Sequence, residues 1–182
     1  MMAKRWIVTA VGKDRPGIVA GVTKVLYKLG CNLEDSAMTR LEGEFAIMLI
    51  FSAKASVALE RLRSAFAGLE RRSGLVVHIK PLSRQEAAAP KAHGRPYMIS
   101  VYGSDRPGIV FRVADALARA GVNVTDVHTH RSAGKGPSLY LMLLEVEIPM
   151  RTSPSGLERR LKSLGTSLGV RINLRASDTT VL

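Results

Sequence analysis

The segment Gly12-Lys13-Asp14-Arg15-Pro16-Gly17-Ile18-Val19 recurs as Gly103-Ser104-Asp105-Arg106-Pro107-Gly108-Ile109-Val110, 91 residues further along a 182-residue chain. The same offset continues without a gap through Val22/Val113, Leu26/Leu117, Gly30/Gly121, Asn32/Asn123 and Asp35/Asp126. A register kept over that distance marks one module used twice. The period is far too long for a solenoid, so each copy needs its own core. About ninety residues are enough to bury a modest one. Two similar modules tend to pair about a pseudo-twofold axis, so a site at such a seam would come in related pairs.

Each copy reads as βαββαβ. In the first, Trp6 to Val11 is apolar and β-branched and stops at Gly12. Pro16 suits a first helical turn, where its missing N–H is no loss, and Asp14 just before it can cap the free N–H groups. Ile18, Val22, Val25, Leu26 and Leu29 recur at helical spacing up to Gly30, which has the position of a helix-ending C′ glycine. Leu33 to Leu41 reads as a strand, Glu42-Gly43 as a tight turn, and Phe45 to Phe51 as a buried strand. Leu59, Leu62, Phe66 and Leu69 then mark a second helix closed near Gly74, and Leu75 to Ile79 a last strand ended by Pro81.

The second copy repeats the order: strand Tyr97–Tyr102, helix Pro107–Ala120, strand Val122–Arg131, a longer turn over 133–137 and strand Leu139–Ile148. A helix carrying Leu157, Leu161, Leu164 and Leu168 and a strand Val170–Leu174 complete it. Residues 83–95, with Ala87-Ala88-Ala89-Pro90, have the composition of a linker. The expected domains are therefore 1–82 and 96–182. Both are α+β, ferredoxin-like, with an antiparallel four-stranded sheet and both helices on one face. The bare sheet face and edges need a cover, which a second module or a second chain would supply.

Composition narrows the function classes. With 46% hydrophobic residues and no apolar run near the roughly 20 residues that span a bilayer, the chain reads as globular and cytoplasmic, without a membrane partner. A lone Cys31 excludes an internal disulfide framework and a cysteine-based zinc site. The net charge of +12 invites a nucleic-acid reading. However, residues 1–91 carry 15 Lys/Arg against 8 Asp/Glu and residues 92–182 carry 12 against 7, so the excess is spread over both copies. Arg61, Arg63, Arg71 and Arg72, and likewise Arg159, Arg160 and Lys162, thicken two helices. A solvated face explains them, and so would docking to an acidic partner or to phosphates; direct nucleic-acid binding is the less favoured reading.

The repeated loop carries the chemistry. A tight turn before a helix exposes first-turn N–H groups, which attract a carboxylate or phosphate. Gly17 and Gly108 let a ligand approach the backbone closely. Asp14 and Asp105 offer an acceptor suited to an ammonium group, and Asn32 and Asn123 offer an amide donor and acceptor. An anion hole beside an ammonium acceptor would receive a zwitterion.

Asp-Arg-Pro-Gly-Ile-Val followed by Gly-Cys-Asn-Leu-Glu-Asp-Ser resembles the ACT domain, a small βαββαβ regulatory module, over nearly the whole chain as two tandem copies. Gly30 to Ser36 with Leu41-Glu42-Gly43-Glu44-Phe45 resembles, more narrowly, the tandem-ACT repressors of the glycine cleavage system. The resemblance implies pairing by sheet edges, a homodimer, and an amino acid bound at the pair interface, glycine or serine for this group. It implies no other cofactor, no DNA-binding domain, and action through a protein partner, a LysR-type transcriptional activator. The ligand-binding residues it implies are Lys13, Asp14, Arg15, Gly17 and Ile18, with Ser104, Asp105, Arg106, Gly108 and Ile109 in the second copy. Asn32 and Asn123 would face those loops from the paired domain. Some amino-acid-binding members carry a side-chain donor at the positions of Gly12 and Gly103, which here have none.

The remaining candidates are weaker. His128 and His130 could share one face of a strand, but a metal would need a third ligand the sequence does not supply, and no metal site is expected. Cys31, which aligns with Val122, reads as a small buried hydrophobe. Arg15 and Arg106 could clamp a carboxylate or pair with a neighbouring acid. Trp6 is expected to pack under the sheet. No catalytic constellation stands out, so the chain reads as non-enzymatic. Three readings stay open: an amino-acid-responsive regulator, a ligand-free dimerisation module acting on an enzyme, and a basic protein on nucleic acid.

Overall fold

Alternation of apolar and polar residues builds each sheet, and helical spacing of apolar residues covers one face of it. The computed structural model describes residues 3–83, 94–132 and 138–177, which fall into two units, Met1–Ala89 and Pro90–Leu182. The first unit runs β1 (Lys4–Lys13), α1 (Ile18–Lys28), β2 (Asn32–Leu41), β3 (Glu44–Ala53), α2 (Leu59–Ser73) and β4 (Val76–Leu82). The second runs β5 (Gly94–Ser104), α3 (Ile109–Arg119), β6 (Asn123–Ser132), β7 (Leu139–Pro149), α4 (Pro154–Leu168) and β8 (Val170–Ala176). Strand order is β2-β3-β1-β4 and β6-β7-β5-β8, all antiparallel. This is the ferredoxin-like α+β fold expected, twice. The turn at 133–137 and the linker over 84–93 lie outside the described residues. Gly94 and Arg95 already belong to β5.

In the first unit Trp6, Val8 and Ala10 of β1 alternate inward beside Phe51, Leu49 and Ile47 of β3. Val22 and Leu26 of α1 and Leu62 and Phe66 of α2 close over them. Ile99 and Val101, Met142 to Ile148 in alternation, Val113, Leu117 and Leu161 form the matching core of the second unit. Each buried Val, Leu, Ile, Met or Phe among them contributes about 1.5–3 kcal/mol. Trp6 packs inside as expected, although its indole N–H finds no acceptor among the described residues.

The bare faces are also as the pattern implies. β2 and β6 are edge strands exposed at every residue. Both contain a bulge, at Glu34 between Leu33 and Asp35 and at Thr125 between Val124 and Asp126. Glu42 and Gly43 take φ of 47° and 84°, the two positive values that a tight hairpin turn needs.

Two proline readings are corrected. Pro16 does not open α1, which starts at Ile18 with Gly17 as N-cap, and Asp14 does not cap it. The proline rule applies instead at Pro154, the first residue of α4, where Ser153 accepts a hydrogen bond from Gly156 N–H. Pro81 does not end β4: it pairs with Trp6 inside the strand. An edge strand tolerates it because one row of its N–H groups faces no neighbour.

Candidate functional site

The repeated loop leaves β1 at Lys13 and turns into α1 through Gly17, whose φ of 90° is left-handed. Gly108 repeats this at 92°. At these two positions glycine is required by the backbone itself, since an L side chain is disfavoured there. Neither α1 nor α3 has a side-chain cap or an acidic residue in its first turn, so the positive end of each helix is uncapped by side chains. A Cβ built on Gly17 or Gly108 would meet nothing within 4 Å and both glycines are exposed, so the space beside each helix start is open.

The acid of the motif is committed to its own hairpin. Asp14 N–H donates to the Gly43 carbonyl at 2.8 Å, and its carboxylate lies 3.3 Å from Arg40 Nη1. The second unit repeats both contacts: Asp105 N–H to the Ser138 carbonyl at 3.1 Å, and Asp105 Oδ2 to Arg131 Nη1 at 3.6 Å. Arg40 and Arg131 went unread in the sequence, although they are separated by the same 91 residues as the motif itself. The signal was the repeat offset.

The arginine of the motif turns back onto its own unit. Arg15 Nη2 donates to the carbonyls of Ser73 and Arg72, the unsatisfied last-turn acceptors of α2. Arg106 repeats the placement, its guanidinium 3.3–3.6 Å from where a Cβ on Gly169 would sit, just beyond α4. In this structure Arg15 ties the loop to the end of α2, and the Arg106 guanidinium lies beside Gly169, which follows α4.

Other expected ligand residues disperse. Ile18 and Ile109 are core residues, 5% and 2% exposed. Lys13 pairs with Glu44. Asn32 pairs in register with Ser52, beside Arg5, whereas Lys13 pairs with Glu44 at the other end of β3. About eight strand residues, roughly 25 Å, separate them. Asn123, which pairs with Glu147, is likewise far from Ser104, which pairs with Leu139. Within a single unit the asparagine and the loop therefore do not meet.

At Gly103 there is no room for a side-chain donor, and at Gly12 the space is tight. A Cβ on Gly103 would lie 2.9 Å from Val170 Cα and 3.0 Å from the Gly169 carbonyl oxygen; on Gly12 it would meet Leu75 Cδ2 at 3.0 Å.

Two open recesses flank these features. One, of about 350 Å³, is lined by Gly30, Asn32, Ser52, Lys54 and Ser56. Another, of about 600 Å³, lies near the second loop between Ser104, Tyr102, Leu139, Thr166 and Arg171. The copies differ nearby. Tyr140, paired with Gly103, stands where Phe45 pairs with Gly12. Burial and then the negative charge of Asp105 push its phenol above the ordinary value. Burial likewise raises the Cys31 thiol, which is only partly buried against the core. His128 Nε2 sits 3.0 Å from Asp126 Oδ2, and no group of three metal-ligating side chains occurs among the described residues. No described helix is long and apolar enough to cross a membrane. Of the basic helix residues, Lys162 pairs with Glu158, while Arg61, Arg71, Arg72, Arg159 and Arg160 are exposed.

A doubled ferredoxin-like unit with a glycine-started helix after its first strand defines a class of small regulatory domains. Residues 4–80 and again 97–165 match the ACT domain, and the chain belongs to that family. It is 24% identical to the glycine cleavage system transcriptional repressor of Escherichia coli over 91% of this chain and 86% of that protein. Over 33% of this chain it is 43% identical to a UPF0237 protein of Streptococcus mutans, covering 68% of that protein. Among solved structures, a Galdieria sulphuraria protein described as unknown superposes with a TM-score of 0.79 at 27% identity, covering 97% of this chain and 99% of that one. A provisionally assigned glycine cleavage system transcriptional repressor superposes at 0.74 and 20% identity, covering 96% and 98%, and so shares the fold.

Proposed function

We propose that this protein is a non-enzymatic, cytoplasmic regulator that binds a small amino acid at its repeated loop and acts by changing its affinity for a protein partner. The observation that carries this reading is the pair of uncapped helix starts at Gly17 and Gly108, open to solvent, each beside an aspartate. Such a start receives a carboxylate, and the aspartate offers the acceptor an ammonium group needs. Likeness to the Escherichia coli glycine cleavage system transcriptional repressor supports a role in transcriptional regulation tied to glycine; glycine or serine as the effector and a transcriptional activator of the LysR type as the partner are part of the proposal. A homodimer would bring the loop of one copy to the asparagine of another. The coupling between effector and partner need be only about 1–3 kcal/mol, provided the effector binds the two states unequally.

Thermal unfolding of the full chain across a panel of amino acids tests the reading. An effector at about 100 times its Kd adds roughly 2.7 kcal/mol of stability. Glycine or serine should raise the melting temperature; no shift with any amino acid at saturating levels sinks the effector role. A second reading has its own support. Asp14 is already paired with Arg40, and Arg15 with the end of α2, so the motif holds together without a ligand. On that reading the chain is a ligand-free interaction module, and the panel gives no shift while partner capture still succeeds.

A further inference from the structure

The solvent-facing side of the second sheet carries more than an uncovered apolar surface. Across it, register places His130, Leu141, Tyr102 and Arg171 in one row and Asp126, Glu145, Met98 and Arg175 in another, from β6 through β7 and β5 to β8. Leu139, Leu141, Leu143, Met98 and Tyr102 are 37–47% exposed and run down its centre. Asp126 and Glu145 stand directly opposite each other on neighbouring strands. Like charges so placed repel. Only His128 approaches this corner, through Asp126, and Glu145, Arg171 and Arg175 make no ion pair among the described residues. Two carboxylates lie at one margin of an apolar band and arginines at the other.

We propose that this face is an interface on which a second copy of the chain seats its own identical face. A twofold axis parallel to the strands lays β6 of one copy over β8 of the other within the same row. Arg175 of each copy then meets the Asp126/Glu145 corner of the other, while the leucine bands stack. Aligned sheets keep their strand directions within about 30° of each other, so the long Arg175 side chain stays within reach of both carboxylates of the corner. A twofold axis across the strands would instead set Arg171 against Arg175, so charge selects the first arrangement. Four strands about 4.8 Å apart and nine residues of about 3.3 Å give roughly 600 Å² in projection per copy. The total of about 1,200 Å² is the lower limit of a specific interface, so the pair dissociates on dilution. This interface does not depend on an amino acid effector.

Sedimentation equilibrium of the full chain over a concentration series, without amino acids, tests it. Arg175→Glu should weaken self-association at least about tenfold, because it sets like charge against like twice per pair. Glu145→Arg should weaken it too, and the double variant Arg175→Glu/Glu145→Arg should associate at least about threefold more tightly than Arg175→Glu alone, short of the parent because Asp126 keeps its charge. Glu145 is chosen because Asp126 also accepts the Val127 N–H at the bulge, and replacing it would disturb the strand. Leu143→Glu should abolish association, while Met48→Glu, on the open face of the first unit, should leave it unchanged. Circular dichroism melts of each variant confirm folding, since all these positions are exposed. A chain that is monomeric at every concentration overturns the proposal. So does association that survives Arg175→Glu and Leu143→Glu, or a double swap that associates no more tightly than Arg175→Glu alone.

Discussion

Arg40 Nη1 lies 3.3 Å from Asp14 Oδ2, binding the loop that opens α1 to the hairpin strand β2. The pair repeats as Arg131 and Asp105 at 3.6 Å. Both arginines are largely exposed, which makes each pair a weak brace, about 0.2–1 kcal/mol and sensitive to salt. Arg40→Ala should therefore cost less than about 1 kcal/mol in urea unfolding. Its functional effect should be larger: with Asp14 released, the stabilisation by an amino acid effector should increase, whereas Asp14→Asn should reduce it. Thermal shifts of the two variants with glycine or serine check the opposite signs.

Arg15 holds the other end of the loop. Its guanidinium satisfies two carbonyls at the C-terminus of α2, which otherwise turn to water. Arg15→Ala should destabilise the chain by about 1 kcal/mol, the usual net worth of an exposed hydrogen-bonded group. Arg15→Lys should recover only part of this, because an ammonium cannot present a planar fork to two acceptors. Equal stability of Ala and parent chains would show that the contact is only decoration.

Three glycine substitutions should separate conformational strain from crowding. Gly17→Ala meets no atom but sits at φ of 90°, and should cost about 1–2 kcal/mol. Gly12→Ala meets first the tip of the Leu75 side chain, which can yield, and should be milder than Gly103→Ala. In the latter, the new methyl lies 2.9 Å from Val170 Cα, and backbone cannot swing aside as a side-chain tip can. Denaturant midpoints that rank Gly12→Ala above Gly103→Ala in damage would contradict this account.

Tyr140 gives the second unit an alkaline sensitivity that Phe45 cannot give the first. Burial, and then Asp105, hold its phenol protonated in the folded chain where the unfolded chain has begun to ionise. The folded state thus binds the proton more tightly. Its contribution is intact below the ordinary tyrosine value of 10.0 and is lost as pH rises beyond it. Tyr140→Phe should flatten this part of the stability profile, and Asp105→Asn should reduce it in part. Unfolding midpoints measured on either side of that pH decide the matter; identical alkaline slopes for parent and Tyr140→Phe would rule it out.

The sequence alone determined the duplication, the element order and most of the core. These rest on periodicity and on turn residues, which act over a few residues and leave their mark in any short window. The C′ position of Gly30, the Glu42-Gly43 turn and the inward alternation from Trp6 to Ala10 were legible for that reason. Tertiary structure decided what the motif's side chains do. Arg15 reaches the end of α2 nearly sixty residues away, and Asp14 reaches Arg40 across a hairpin. Asn32 is carried to the far end of the sheet by an antiparallel register that no local pattern encodes. Pro16 was misplaced because a left-handed Gly17 delays the helix, and Pro81 because its tolerance depends on β4 lying at an edge. A side chain's partner is set by where the whole chain returns, so the loop's residue types could be read from the sequence and their use could not.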